Sequence, residues 1–266
     1  MWLEGPPRRG TDTTARITRR RGGSAANVAA FAALSGAPSR FIGRIGDDAL
    51  GERLAAELAA TGADVRAQRS GRTGTVVVLV EPGGERTMLP DRAACTRLAG
   101  VPSAWLEGVR VLHLPAYSLA VEPLAATALE LAAVARAAGA LLSVDASSVA
   151  VLETYGLGAF RALIERVRPD VLLANAEEAL ALDLLDHPLG VPAVVKDGPR
   201  PVAIVDPSGA ATTVDVPLLP AVADTTGAGD AFAAGFLPAF GTGKLPRAAA
   251  EEGIRLASRV LAERGR

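Results

Sequence analysis

The chain has 266 residues, 49% apolar and 21% charged, with 28 Lys and Arg against 29 Asp and Glu. That length suits one α/β domain over residues 1–266, and the near-zero charge argues against a broad nucleic-acid or anionic-membrane surface. No apolar run reaches the ~18 residues of a membrane helix, "MWLEGPPRRGTDTT" lacks a signal-peptide core, and one cysteine, Cys95, cannot build a disulfide framework. The expectation is a cytoplasmic protein with neither nucleic-acid nor membrane partners. Two scarcities mark positions to watch. The only lysines are Lys196 and Lys244, and the only asparagines are Asn27 and Asn175.

Along the chain, "SAANVAAFAALSG" predicts a helix stopped by Gly36, "SRFIG" a strand, and "DALGERLAAELAATG" an amphipathic helix stopped by Gly62. "TGTVVVLV" and "ERTMLP" around the turn "EPGG" predict a β-hairpin. "VRVLHL" reads as a strand, "VEPLAATALELAAVARAAGA" as a long helix, and "LLSVDAS" as a buried strand ending at Asp145. "DVLLANAEEALAL" is a strand entering a helix, and "AVVKDG", "PVAIVD" and "ATTVDV" are β segments. Helices follow from about Ala228 and about Leu245. The alternation predicts a mostly parallel sheet with helices on both faces, with the early hairpin in a separate small sheet. Ligands of such sheets sit at the carboxyl ends of strands. Asp145, Asn175, Lys196 and the Asp224–Asp230 loop all follow strand-like segments.

"DTTGAGDAFAAGF", Asp224–Phe236, spends three glycines around a helix start. Glycine is costly to order, so the stretch needs unusual φ/ψ or a backbone that a ligand can approach. The first N–H groups of the helix after Gly227, Ala228 and Gly229 have no intrahelical partner and, with the helix dipole, form an anion site. Asp230 stands beside it. A carboxylate there can take the proton of an alcohol attacking a phosphoryl group while the N–H nest stabilises the charge. The structural alternative is an Asp at a plain helix start. In "RGGSAANVA", Gly22 and Gly23 permit close approach and Asn27 can both donate to and accept from a hydroxyl; a turn before a tightly packed helix is the alternative. "NAEEA" places Asn175 and Glu178 as a capping box. Lys196 suits phosphate, and Asp145 either orders the site or caps its strand. "GTGKLP" lacks P-loop spacing, His113 and His187 have no ligand partners nearby, and "RITRRRGG" reads as a solvated lid strand, with an arginine able to meet an anionic substrate.

"GGSAANVAAFAALSGAPSRFIGRIGDDALG" and "DTTGAGDAFAAGF", in this order, resemble the two signatures of the PfkB family of carbohydrate kinases. The resemblance runs from about Arg21 to the C-terminus. It implies a ribokinase-like fold: a three-layer αβα sandwich with a mostly parallel central sheet and a small β lid, here about 13–21 and 73–91. It implies ATP-dependent phosphorylation of a sugar hydroxyl, with Asp230 as base and the Gly227–Asp230 backbone as anion hole. Gly22, Gly23 and Asn27 would hold the sugar. Asn175, Lys196, Gly198, Thr226, Gly227 and Gly229 would face the nucleotide, and Glu178 would act on Mg²⁺ through water. A monovalent cation and a homodimer through the lid are further expectations. The alternatives are a nucleoside kinase, which would need an aromatic wall, and a catalytically weak nucleotide- or sugar-binding protein. The family's usual first strand, with its Gly-Asp and a second aspartate on the sugar, has no counterpart here, and the segment before "AVVKDG" is short. The expectation is weakened sugar affinity and an open sheet edge.

Overall fold

The computed structural model describes residues 1–81, 86–219 and 225–264. In chain order it forms β1 (Trp2–Leu3), β2 (Ala15–Arg16), α1 (Ser24–Leu34), β3 (Arg40–Ile45), α2 (Ala49–Ala59) and β4 (Asp64–Arg69). Next come β5 (Thr75–Val80), β6 (Arg86–Asp91), β7 (Val111–Pro115), α3 (Leu124–Ala137), β8 (Leu141–Asp145), α4 (Val149–Tyr155) and α5 (Leu157–Val167). The chain closes with β9 (Val171–Asn175), α6 (Ala176–Ala181), β10 (Ala193–Asp197), β11 (Arg200–Val205), β12 (Ala211–Val214), α7 (Ala228–Gly241) and α8 (Pro246–Arg264). No helix among the described residues is long and apolar enough to cross a membrane.

The main sheet has the order β12-β11-β10-β9-β8-β7. Strands β7 to β10 are parallel, and β11 and β12 return antiparallel. Both faces are covered. In β9, Leu172 and Ala174 join the core under α3 to α6, while Val171 and Leu173 join the core under α1, α7 and α8. All four are fully buried. Successive strand residues point to opposite faces, so a strand buried on both sides must be apolar at every position. That is the three-layer ribokinase-like arrangement expected from sequence.

Strands β3 and β4 pair in parallel as a separate sheet. Helix α1 packs against both β3 and β7, yet these two strands are not hydrogen-bonded to each other, and β7 ends the main sheet. A third sheet, ordered β2-β1-β5-β6, is the lid. Three features differ from the sequence expectation or were not part of it. The lid gains β1, whose two residues are too short for any periodicity to reveal. The segment read as a lid strand is strand only at Ala15–Arg16, and residues 17–23 have no regular structure. Helices α4 and α5 have no counterpart in the sequence expectation, since Gly156 and Gly158 break the pattern between and within them. Burial of Leu152, Phe160, Leu163 and Ile164 decides them, with Ser148 capping α4 through a bond from Val151 N–H. Most of the expected "EPGG" turn lies outside the described residues.

Local signals explain the joints. Gly36 ends α1 in the left-handed region at φ 88°, with its N–H on Ala33 O. Asp48 caps α2 by accepting from Gly51 N–H, and its carboxylate also accepts from Thr73 N–H at 2.8 Å and from Thr73 Oγ1 at 2.5 Å. The contact ties the chain just before β5 to the α2 start. The joint is tight, since a Cβ on Gly51 would stand 2.3 Å from Gly46 O and 2.8 Å from Thr73 Oγ1.

Candidate active site

The N-cap of helix α7 is Gly227, whose φ of 78° lies in the left-handed region and which has no side chain to cap the turn. Ala228 N–H turns back to Thr225 O. The first N–H groups of a helix have no intrahelical partner. Asp230 is in this first turn and reaches across to α1. Its Oδ1 accepts from Ser24 Oγ and its Oδ2 from Asn27 Nδ2, each at 2.8 Å. Ser24 and Asn27 lie three residues apart, which puts them on one face of α1. Gly23 makes that placement possible: it precedes α1 at φ 96°, a conformation open mainly to glycine. Burial pushes the Asp230 carboxyl above its usual range, opposed by the bonds from Asn27 and Ser24, while the Asp145 charge raises it and the Lys196 charge lowers it.

The parallel strands deliver the second cluster. Asp145 ends β8, Asn175 ends β9, and Lys196 stands beside Asn175 in register on β10. Lys196 Nζ binds Asp145 Oδ2 at 2.9 Å, with 15% and 13% of the two side chains exposed. Burial alone would lower the lysine's pKa; the charges of Asp145, Glu178 and Asp230, with the Asp145 hydrogen bond, outweigh it and raise the value above the usual one. The same ammonium borders α7: a Cβ built on Gly229 would stand 3.7 Å from Nζ. Asn175 and Glu178 form a closed capping box at the start of α6. Asn175 N–H donates to Glu178 Oε2, Asn175 Nδ2 to Glu178 Oε1, and Glu178 N–H to Asn175 Oδ1, all at 2.8 Å. Glu178 is 3% exposed, and its burial, foremost, holds its pKa above the usual carboxylate range.

The structure thus brings together Gly23, Asn27, Lys196, Gly229 and Asp230, with Asn175 and Glu178 beside Lys196. Gly22 adjoins the α1 start with open space above it. Gly198 turns β10 into β11 at φ 57°, also in open space. Thr226 is exposed, and Asp224 lies outside the described residues. Sequence reading passed over Ser24, although its spacing of three from Asn27 at a helix start was a usable signal. The Asp145–Lys196 pairing joins β8 and β10 across β9, which no local pattern reports. His113 is partly buried on β7, with Nδ1 3.1 Å from Ser143 Oγ, and desolvation of its ring pulls its pKa down to about 4. Among the described residues no three His, Cys, Asp or Glu side chains gather as a metal cage. Each Glu178 oxygen already accepts a bond from Asn175, so this carboxylate would suit a magnesium ion met through water rather than directly.

The chain is 28% identical over 237 residues to a probable fructokinase-7 of Arabidopsis thaliana, covering 81% of this chain and 68% of that protein. It is 29% identical over 255 residues to a fructokinase of Klebsiella pneumoniae, covering 88% of this chain and 81% of that one. Among solved structures, the adenosine kinase of Sinorhizobium meliloti superposes with a TM-score of 0.81 at 27% identity, over 90% of this chain and 77% of that chain. The model of the pfkB family carbohydrate kinases matches residues 3–266. With the two signature stretches meeting at Asp230, the chain belongs to the pfkB family of carbohydrate kinases.

Proposed function

We propose that the chain transfers the γ-phosphoryl group of ATP to a hydroxyl of a small sugar, with Asp230 as the base. The observation that carries this reading is the Asp230 carboxylate in the first turn of α7, after the left-handed Gly227, aimed by Ser24 and Asn27. The sugar hydroxyl gives its proton to Asp230 as its oxygen bonds to the γ-phosphorus. The bond from that phosphorus to the β–γ bridging oxygen breaks, and ADP leaves. Little covalent chemistry falls to the protein, so positioning and charge stabilisation dominate. The Gly227–Gly229 backbone and Lys196 hold the transferring group, and Gly22, Gly23 and Asn27 hold the sugar. Thr226 and Gly198 flank the nucleotide. Magnesium, when bound with the nucleotide, supplies charge neutralisation at the phosphates, and Asn175 and Glu178 would hold it through water.

Fructokinase relatives favour a sugar as acceptor; the likeness to an adenosine kinase structure favours a nucleoside as the second reading. The lid carries exposed Val76, Val77, Met88 and Leu89, an apolar surface suited to pairing with a second lid. The deciding experiment is a thermal-shift screen of sugars and nucleosides with ADP and magnesium, followed by ATP-consumption assays of the ligands that stabilise. A ligand bound at 100 times its Kd adds about 2.7 kcal/mol. ATP consumption driven by a sugar supports the reading. Consumption driven only by nucleosides replaces it, and none with either class refutes it.

A further inference from the structure

Arg21 lies on the acceptor side of Asp230, and none of the steps above uses it. Its NH1 donates to Asn27 Oδ1 at 3.2 Å, and Asn27 Nδ2 in turn donates to Asp230. The guanidinium is half-buried; desolvation lowers its pKa, against the raising charges of Glu57 and Asp230. Neither of these carboxylates is bonded to it. Asp230 accepts from Ser24 and Asn27, and Glu57 pairs with Arg53. Arg40, Arg72 and Arg200, by contrast, each sit directly on a carboxylate. An arginine fork has five N–H donors, and the Asn27 bond engages only one arm of it. A cation drawn partly out of water with no bonded counter-charge among the described residues is best compensated by an anion arriving with the ligand.

We propose that Arg21 selects an acceptor that carries a carboxylate or phosphate, set back from the hydroxyl activated by Asp230. The spacing follows from the chain Asp230–Asn27–Arg21: one asparagine side chain separates the base from the cation. A hydroxyl on Asp230 and an anionic group on Arg21 therefore belong to two parts of one short, polar molecule. Anionic groups bind a guanidinium through two parallel charge-assisted bonds, whereas a neutral sugar leaves the fork's remaining donors without an anion. The inference rests on the kinase reading and narrows its substrate class.

The test measures ATP-dependent phosphorylation of three acceptors with one carbon skeleton: the neutral sugar, its aldonate and its monophosphate. Wild type, R21K and R21Q are compared. For wild type, kcat/KM should be at least tenfold higher with one of the anionic acceptors than with the neutral one, and the arm that wins names the anion. In R21Q this ratio should fall tenfold or more; R21K, with the charge but not the fork, should fall between. A wild-type preference for the neutral sugar overturns the proposal with no variant needed. So does an R21Q effect equal on all three acceptors, which would make Arg21 a positioning residue for Asn27. Phosphorylation of the neutral sugar would then still stand, whereas the absence of phosphorylation of every acceptor, neutral or anionic, refutes the kinase reading and this inference together.

Discussion

Helices α6 and α7 both begin beside Lys196, and their starts are built on opposite plans. At α6 the side chains of Asn175 and Glu178 close the first turn on themselves. At α7 the N-cap residue is the left-handed Gly227, which brings no capping side chain of its own. A capped start has used its free donors for stability; an uncapped one keeps them for an anion. On the proposed reading, α7 meets the transferring phosphate directly and α6 acts through water. Lys196, paired with Asp145, borders both starts.

The largest effect should come from breaking that shared element. Lys196→Met leaves Asp145 buried without its partner, and losing one member of a buried pair costs about 3 kcal/mol or more. Urea unfolding reads this directly, and Asp145→Asn added to Lys196→Met should restore part of the loss. A single variant as stable as wild type would show that the pair does not hold the cluster. Gly227→Ala comes next. Forcing a Cβ into the left-handed region costs about 1–2 kcal/mol and should also weaken ADP binding, measured by calorimetry. Asn175→Ala should cost about 1 kcal/mol as a lost cap with less effect on ADP affinity. Equal loss of ADP affinity in the two variants would erase the difference between the helix starts. Glu178→Gln keeps much of the capping geometry and should raise the magnesium concentration needed for half-maximal rate. An unchanged titration would leave α6 a purely structural start.

The smallest effect concerns the lid joint. The Asp48 carboxyl, held by Thr73 and Gly51, has its pKa lowered from 3.8 to about 2. A depressed folded-state pKa means that its stabilisation is present above the unfolded value and is lost as pH falls from about 4 to about 2. Asp48→Asn should flatten the stability profile in that window; an unaltered profile would remove Asp48 from the acid response.

Much of the site could be read in the sequence because its parts are local. The glycines at 23 and 227 declare unusual backbone, and the rarity of Asn and Lys made Asn27, Asn175 and Lys196 conspicuous. Three of those four scarce residues fall in the site, while Lys244 pairs with Glu252. What escaped was non-local. The Ser24 bond to Asp230 and the Lys196 bond to Asp145 cross 206 and 51 residues, distances over which no periodicity carries information. The same limit hid β1, which exists only because β2 and β5 flank it, and α4 and α5, whose helicity rests on burial more than on propensity.

Asp230 tests the account most directly. Burial raises its pKa against its two hydrogen bonds, so this group's contribution to stability is present at low pH and is lost as pH rises through the raised value. Asp230→Asn removes that charge but keeps an oxygen for Asn27 Nδ2 and an amide for Ser24 Oγ. Its kcat, ADP affinity and melting temperature should be measured together on one preparation. The account predicts a kcat lower by about 10²-fold or more, with ADP affinity retained and the melting temperature equal to or above that of wild type. A variant that phosphorylates its best acceptor at nearly the wild-type rate would contradict it.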